Sequence, residues 1–293
     1  MKRIAILFHE NARHRDTRDY AIHSLASFWE EDGHGVTFLY GVKKFVSADV
    51  VIVHVDLSVV PQEYLDFAAR YPAALNGRVR DVRKSSFSAN LVDAGNPYAG
   101  PVIVKSNLNY AGIPERLIAA SRPRGLVGIL RWPRAAKGAR GPDPALAPAP
   151  EFETPTDYRV YDSLGDVPRR CFGREDLVVE KFLPEMQDGL YCLRLFHFLG
   201  DRTASVRIAS PNPIVKVDNL VRREIVEPHP EVLEIRRTLG FDYGKFDYVL
   251  HDGRVVLLDI NKTPGESRVI RPASPTPTIS IPASRPSSPS LTK

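Results

Sequence analysis

The chain has 293 residues, 43% of them hydrophobic and 26% charged, with a formal net charge of +5. That composition supplies a real core and excludes a disordered chain, and the length allows one large domain or two to three small ones. Cys171 and Cys192 cannot staple a secreted scaffold, no signal peptide precedes Ile4, and no apolar run approaches the ~18 residues of a membrane span. A reduced, cytoplasmic protein with no membrane segment is expected.

The charge is unevenly spread. Arg271, Arg285 and Lys293 stand in a tail without acidic residues, so the body is nearly neutral. From Arg116 to Pro142 there is no Asp or Glu, while Arg116, Arg122, Arg124, Arg131, Arg134, Lys137 and Arg140 are all basic. Only Trp132 is interleaved there as a stacking aromatic, so the stretch reads as a solvated segment in preference to a nucleic-acid surface.

In chain order, Lys2–Phe8 reads as a buried strand. A helix follows, capped by Asp16 or Thr17, with Ile22, Leu25, Phe28 and Trp29 at helical spacing, and Gly33 ends it. A strand at Val36–Tyr40, an apolar run at Asp49–Val55 and a helix from Pro61 complete a β-α-β-β-α pattern. This pattern predicts an open, mostly parallel α/β sheet over residues 1–80. Ligands of such sheets sit at the strand C-terminal ends, here near His9, Glu10, Asn11, His54 and Asp56.

From Pro101 the pattern becomes apolar runs separated by loops: Pro101–Lys105, Gly125–Leu130, Leu177–Phe182, Leu190–Leu199, Thr203–Ile208, Phe246–Leu250 and Val255–Ile260. The second half is therefore α+β. Six prolines between Pro133 and Pro155 predict a surface loop, and Arg271–Lys293, with six Pro, six Ser and three Thr, predicts a disordered tail.

The segment from Lys245 to Gly265 reads as a β-hairpin. A two-residue turn at Asp252-Gly253 puts Asp247 and Asp259 on opposite faces of a regular ladder. A three-residue loop, His251-Asp252-Gly253, instead puts Lys245, Asp247, Leu257, Asp259 and Asn261 on one face. Two carboxylates and an amide oxygen converging there suit Mg²⁺, with Mn²⁺ as an alternative, because hard cations take oxygen ligands.

These residues resemble the ATP-grasp superfamily, in the manner of ribosomal-protein glutamate ligases and D-alanine–D-alanine ligases, over about residues 75–268. Asp259-Ile260-Asn261 followed by Pro264-Gly265 matches the family's last hairpin, with Asp where Glu is more usual, and Lys245-Phe246-Asp247 matches its upstream acid. The resemblance implies an α/β N-terminal domain (1–80) ahead of an α+β ATP-grasp core (81–270), with the nucleotide between two antiparallel sheets and a lid over about 100–182. It also implies phosphate contacts from Lys84 and Lys105. Glu180, Lys181, Phe182 and Leu183 would form the adenine hinge, with Glu185 preferred to Asp188 for the ribose. Arg194, Arg207 and Lys245 would face phosphate or an acyl phosphate, and Asp247, Asp259 and Asn261 would hold the metal. His197 and the two cysteines are assigned structural roles.

The implied activity is ATP- and Mg²⁺-dependent ligation of a small-molecule or peptide carboxylate to an amine through an acyl phosphate. An ATP-dependent phosphotransferase and an inactive nucleotide-binding protein are the alternatives. Only Gly112 remains of the family's glycine-rich loop, and Arg268-Val269-Ile270 runs directly into the tail. Oligomeric state, including a homo-oligomer, is left open by the sequence.

Overall fold

The computed structural model describes residues 1–121 and 158–266. Most of the basic stretch, the Gly125–Leu130 run, the proline-rich segment and the tail lie outside the described residues. Among the described residues, no helix is long and apolar enough to cross a membrane.

The first sheet is parallel, in the order β2-β1-β3-β4, formed by β1 (Arg3–Phe8), β2 (Gly35–Tyr40), β3 (Val50–Val53) and β4 (Ala74–Leu75). Helices α1 (Ala21–Glu31) and α2 (Gln62–Ala68) connect its strands. β1 and β3 are buried on both faces, which is why they read as continuous apolar runs and not as alternation. Gly33 stops α1 at a positive φ of 80°. The predicted cap moves: Tyr20, not Asp16 or Thr17, precedes the first turn of α1.

A three-stranded antiparallel sheet joins β5 (Val102–Ser106) to β6 (Arg159–Tyr161) and β7 (Leu177–Lys181). Its strands alternate. Val102, Val104, Leu177 and Val179 pack with Val92 and Cys171, while Lys105 and Glu180 stand on the opposite face. Helix α3 (Lys84–Phe87) lies ahead of this sheet and α4 (Ile113–Ser121) follows β5.

The largest sheet is antiparallel, in the order β11-β10-β9-β12-β13, and comprises β9 (Leu190–Leu199), β10 (Arg202–Ser210), β11 (Arg222–Ile225), β12 (Tyr243–His251) and β13 (Arg254–Asn261). The short β8 (Glu185–Gln187) pairs with the start of β9. One face carries Phe196, Phe198, Phe246 and Tyr248 against Val232 of α5 (Pro230–Leu239) and against Val79 and Val82. Helix α5 has a full set of local signals that the sequence reading passed over: His229 capping Glu231 N–H, Pro230 in the first turn and Gly240 in the left-handed region.

The β12–β13 hairpin corrects one expectation. The loop has two residues, Asp252 (φ 50°) and Gly253 (φ 74°), between the pair His251 and Arg254. That turn alone would separate Asp247 from Asp259. The ladder slips by one residue between Asp247 and Tyr248, so that Asp247 faces Asp259 while Tyr248 faces Leu257, and Leu258 is the extra residue. The bulge restores a shared face for Lys245, Asp247, Asp259 and Asn261. Leu257, expected on that face, instead packs with Tyr248 in the apolar layer.

Gly244 closes the base of this hairpin at φ 155°, and a Cβ there would overlap the Asn261 carbonyl. Gly244→Ala should therefore cost about 1–3 kcal/mol, the usual penalty of overpacking, and displace Asn261. Urea unfolding checks the first effect, and metal titration checks the second.

Candidate functional site

Two elements distant in sequence deliver lysines to the bulged hairpin, which carries a third of its own. Lys84 opens α3, is 3% exposed, and donates from Nζ to Asp259 Oδ1 at 2.9 Å. Lys105, near the end of β5, donates to the Leu258 carbonyl at 3.2 Å and forms an ion pair with Glu180 of β7. Lys245 pairs with Asp247 on its own strand at 3.0 Å. The bulge residue Leu258 thus exposes the carbonyl that ties the three-stranded sheet to the hairpin.

The electrostatics follow from burial. Burial raises the Asp247 carboxyl above the usual carboxylate range, Lys245 opposes the rise, and the facing Asp259 adds to it. Burial works against the Lys84 and Lys245 ammoniums, yet Asp259 and Asp247 respectively outweigh it, and both lysines are held above their ordinary values. Tyr158, just ahead of β6, enters the same field. Burial raises its phenol, Lys84 opposes, and Asp259, Asp247 and Glu180 contribute to the rise. Tyr158 was missed because it follows the proline-rich stretch and carries no motif.

Do these residues fit a metal ion? Asp247 Oδ1 is buried without a hydrogen-bond partner, which a ligand atom would supply. It faces Asp259 across the ladder, so two carboxylates suit a hard divalent cation. Asn261 Oδ1 already accepts from Thr263 N–H at 2.8 Å. Its place as a ligand would come at the expense of that turn. Among the described residues no group of three or more His, Cys, Asp or Glu side chains gathers to hold a metal, so the donor set is two carboxylates with the amide beside them.

The other expected site residues are placed elsewhere. Arg194 pairs across the ladder with Tyr248, and Asp247 with Leu195, so Arg194 stands on the face opposite the carboxylates. Arg207 faces Arg194 on β10 and shares that face. There Arg194 grips Glu185 with hydrogen bonds of 2.8–3.1 Å, Arg207 pairs with Glu224 and approaches Glu185 at 3.8 Å, and Leu250 N–H donates to Glu185 at 2.8 Å. Glu185, Arg194 and Arg207 form a separate, part-buried charge network and are not brought to the hairpin's polar face. In the expected hinge, Lys181 N–H donates to the Asn90 carbonyl and Phe182 N–H to the Pro101 carbonyl. His197, opposite Lys245, has an unpartnered Nε2, and burial lowers its pKa to about 3.

The loop after the hairpin is sewn to the first sheet. Lys262 is fully buried with its ammonium on the Leu57 carbonyl, Thr263 Oγ1 donates to Asp56 at 3.0 Å, and Ala21 N–H donates to the Pro264 carbonyl at 3.0 Å. Asn76, at φ 57°, bonds to Asp242 and Tyr243 and fixes the start of β12. Asp56 is where the parallel-sheet argument pointed, and Thr263 links it to Asn261.

Among the solved structures it is similar to are ligases. D-alanyl-alanine synthetase A from Vibrio cholerae aligns at 10% identity over 90% of this chain and 89% of that chain, with a TM-score of 0.45. D-alanine–D-alanine ligase from Bacillus anthracis aligns at 10% identity over 92% and 89%, with a TM-score of 0.42. A RimK-domain ATP-grasp protein from Sphaerobacter thermophilus aligns at 11% identity over 89% and 91%, with a TM-score of 0.42. No protein-family model and no curated protein matches the chain.

Proposed function

We propose that the chain is an ATP- and Mg²⁺-dependent ligase of the ATP-grasp kind, joining a small-molecule or peptide carboxylate to an amine through an acyl phosphate. The observation that carries this reading is the facing pair Asp247 and Asp259, one oxygen of it buried and unpartnered, with the buried Lys84 and Lys105 converging on the same hairpin.

Asp247 and Asp259 would hold the cation, with Mn²⁺ an acceptable substitute, and Asn261 stands beside them. When bound, the cation supplies positive charge against the phosphate oxygens. Lys84 and Lys105 would clamp β- and γ-phosphate oxygens, and Lys245 would face the transferring group. Glu180, the Lys181 carbonyl and the Leu183 N–H would address the base. Positioning and charge do the chemistry, so no Ser or Cys nucleophile is required. Arg194, Arg207 and Glu185 are left out because they stand on the other face.

The test is calorimetric titration of ATP, with and without Mg²⁺, into the wild type and a folded Asp259→Ala/Asn261→Ala variant. Mg²⁺-dependent binding should fall by at least about tenfold in the variant, since even substitutions beside metal ligands cost about 10–100-fold in metal affinity. Release of ADP with a pool of carboxylates and amines then distinguishes ligation from phosphotransfer, which leaves a stable phosphorylated acceptor. A wild type that binds no nucleotide with or without Mg²⁺ overturns the reading.

A further inference from the structure

The outer edge of the largest sheet is β11, and among the described residues no strand pairs with that edge. Its inner side is satisfied. The ladder to β10 runs from Arg222 opposite Ala209 to Ile225 opposite Val206, and Val226 N–H extends it by donating to the Ser205 carbonyl at 3.1 Å. Bonded positions alternate along an antiparallel ladder, so Val226 and Glu224 turn their backbone groups to β10 while Ile225 and Arg223 turn theirs outward.

The side chains divide in the same way. Glu224 and Arg222, on one face, already have partners in Arg207 and Asp188. Alternation carries Arg223, Ile225 and Glu227 to the other face, where all three are exposed, Ile225 at 81%. Neither Arg223 nor Glu227 has an ion-pair partner among the described residues. A cation, an apolar side chain and an anion at two-residue spacing are their own complement when a second copy of the strand runs the other way.

We propose that β11 is a homodimer interface, in which two copies of this chain join edge to edge and antiparallel about a two-fold axis at Ile225. Ile225 of each copy meets Ile225 of the other and exchanges backbone bonds with it, and each Arg223 faces Glu227 of the second copy. Moving the axis two residues either way sets Arg223 against Arg223 or Glu227 against Glu227, so charge selects the register. Pro228, which lacks an N–H, ends the ladder. Because both copies use the same edge, the pairing closes at two. β11 and β13 stand at opposite ends of the sheet, so the interface does not depend on the nucleotide reading.

The experiment is sedimentation equilibrium of the full chain over roughly 1–500 µM, a range suited to the weak dimer that so short an edge makes. Wild type should pass from monomer to dimer within it. Arg223→Glu and Glu227→Arg each set like charges across the seam twice, and each should weaken the dimer by about tenfold or more. Mixed in equal amounts, these two variants should recover a heterodimer, because every Glu then faces an Arg, and Arg223→Glu/Glu227→Arg should recover a homodimer. Recovery distinguishes this register from a loss of folding, which circular dichroism monitors. A wild type that stays monomeric throughout the range overturns the interface. So does a dimer that the single variants leave unchanged, or one that they weaken and that mixing does not restore.

Discussion

Lys105→Met should destabilise the fold by about 3–5 kcal/mol, the cost of leaving one partner of a buried ion pair uncompensated. The Lys105 and Glu180 side chains are 5% and 3% exposed, and one Glu180 oxygen has no other partner. The substitution strands the carboxylate on the polar face of the three-stranded sheet and also removes the donor to Leu258. Lys105→Met/Glu180→Gln removes the stranded charge and should recover most of the loss. Urea midpoints for both variants decide the matter. A single variant that costs under about 1 kcal/mol would place this pair among solvated bridges. The result bears on function, because loss of turnover in Lys105→Met reports on catalysis only where the stability loss has been accounted for.

Acid should destabilise the protein from about pH 6.5 downward, and the buried His54 is a main reason. The ring is completely buried, stacked on Phe8 at 4.8 Å between centroids, with both nitrogens unpartnered. Burial lowers its pKa from 6.5 to about 3, with His23 and Lys262 adding to the shift. Between those values the unfolded chain binds a proton that the folded chain refuses, so stability is complete above pH 6.5 and falls as pH drops toward 3. The slope is about 1.4 kcal/mol per pH unit for one such proton, or about 2–3 kcal/mol by pH 4.5. His197 acts in the same direction. His54→Phe keeps the stacking, removes two orphaned nitrogens and should flatten the pH dependence by about one proton. Denaturant unfolding between pH 7 and 4.5 measures it, and an unchanged slope in the variant would exclude His54 as the cause.

The strands were legible because their physics is local. Continuous apolar runs gave β1 and β3, and β9 matches its run from Leu190 to Leu199. The hairpin's carboxylates were legible as a pair that interrupts an apolar strand. Its register was not. The turn argument chose a three-residue loop, whereas the chain uses a two-residue turn and recovers the shared face with a bulge at Leu258. Bulges depend on what packs against each side, here Tyr248 and Leu257 within the aromatic layer, and no local rule announces them. The face of Arg194 was equally hidden, since alternation says only that Arg194 and Leu195 point apart. The register of β9 on β12 decides which of them joins Asp247.

By itself, the sequence determined β1 to β3, α1, α2, β5, β7, β9, β10 and the β12–β13 hairpin, the oxygen-bearing side chains of Asp247, Asp259 and Asn261 on that hairpin, and the presence of lysines at strand and helix ends. Which lysine meets which carboxylate was decided only by tertiary structure: Lys84 reaches Asp259 across 175 residues, and Lys105 reaches Leu258 across 153. Tertiary structure also removed Arg194, Arg207 and Glu185 to the far face and added Tyr158, Thr263 and Asp56 to the neighbourhood of the hairpin. The physical reason is range. Backbone preference and hydrophobic period act over a few residues and are written in the chain, whereas charge pairing at a buried site depends on the packing of whole sheets.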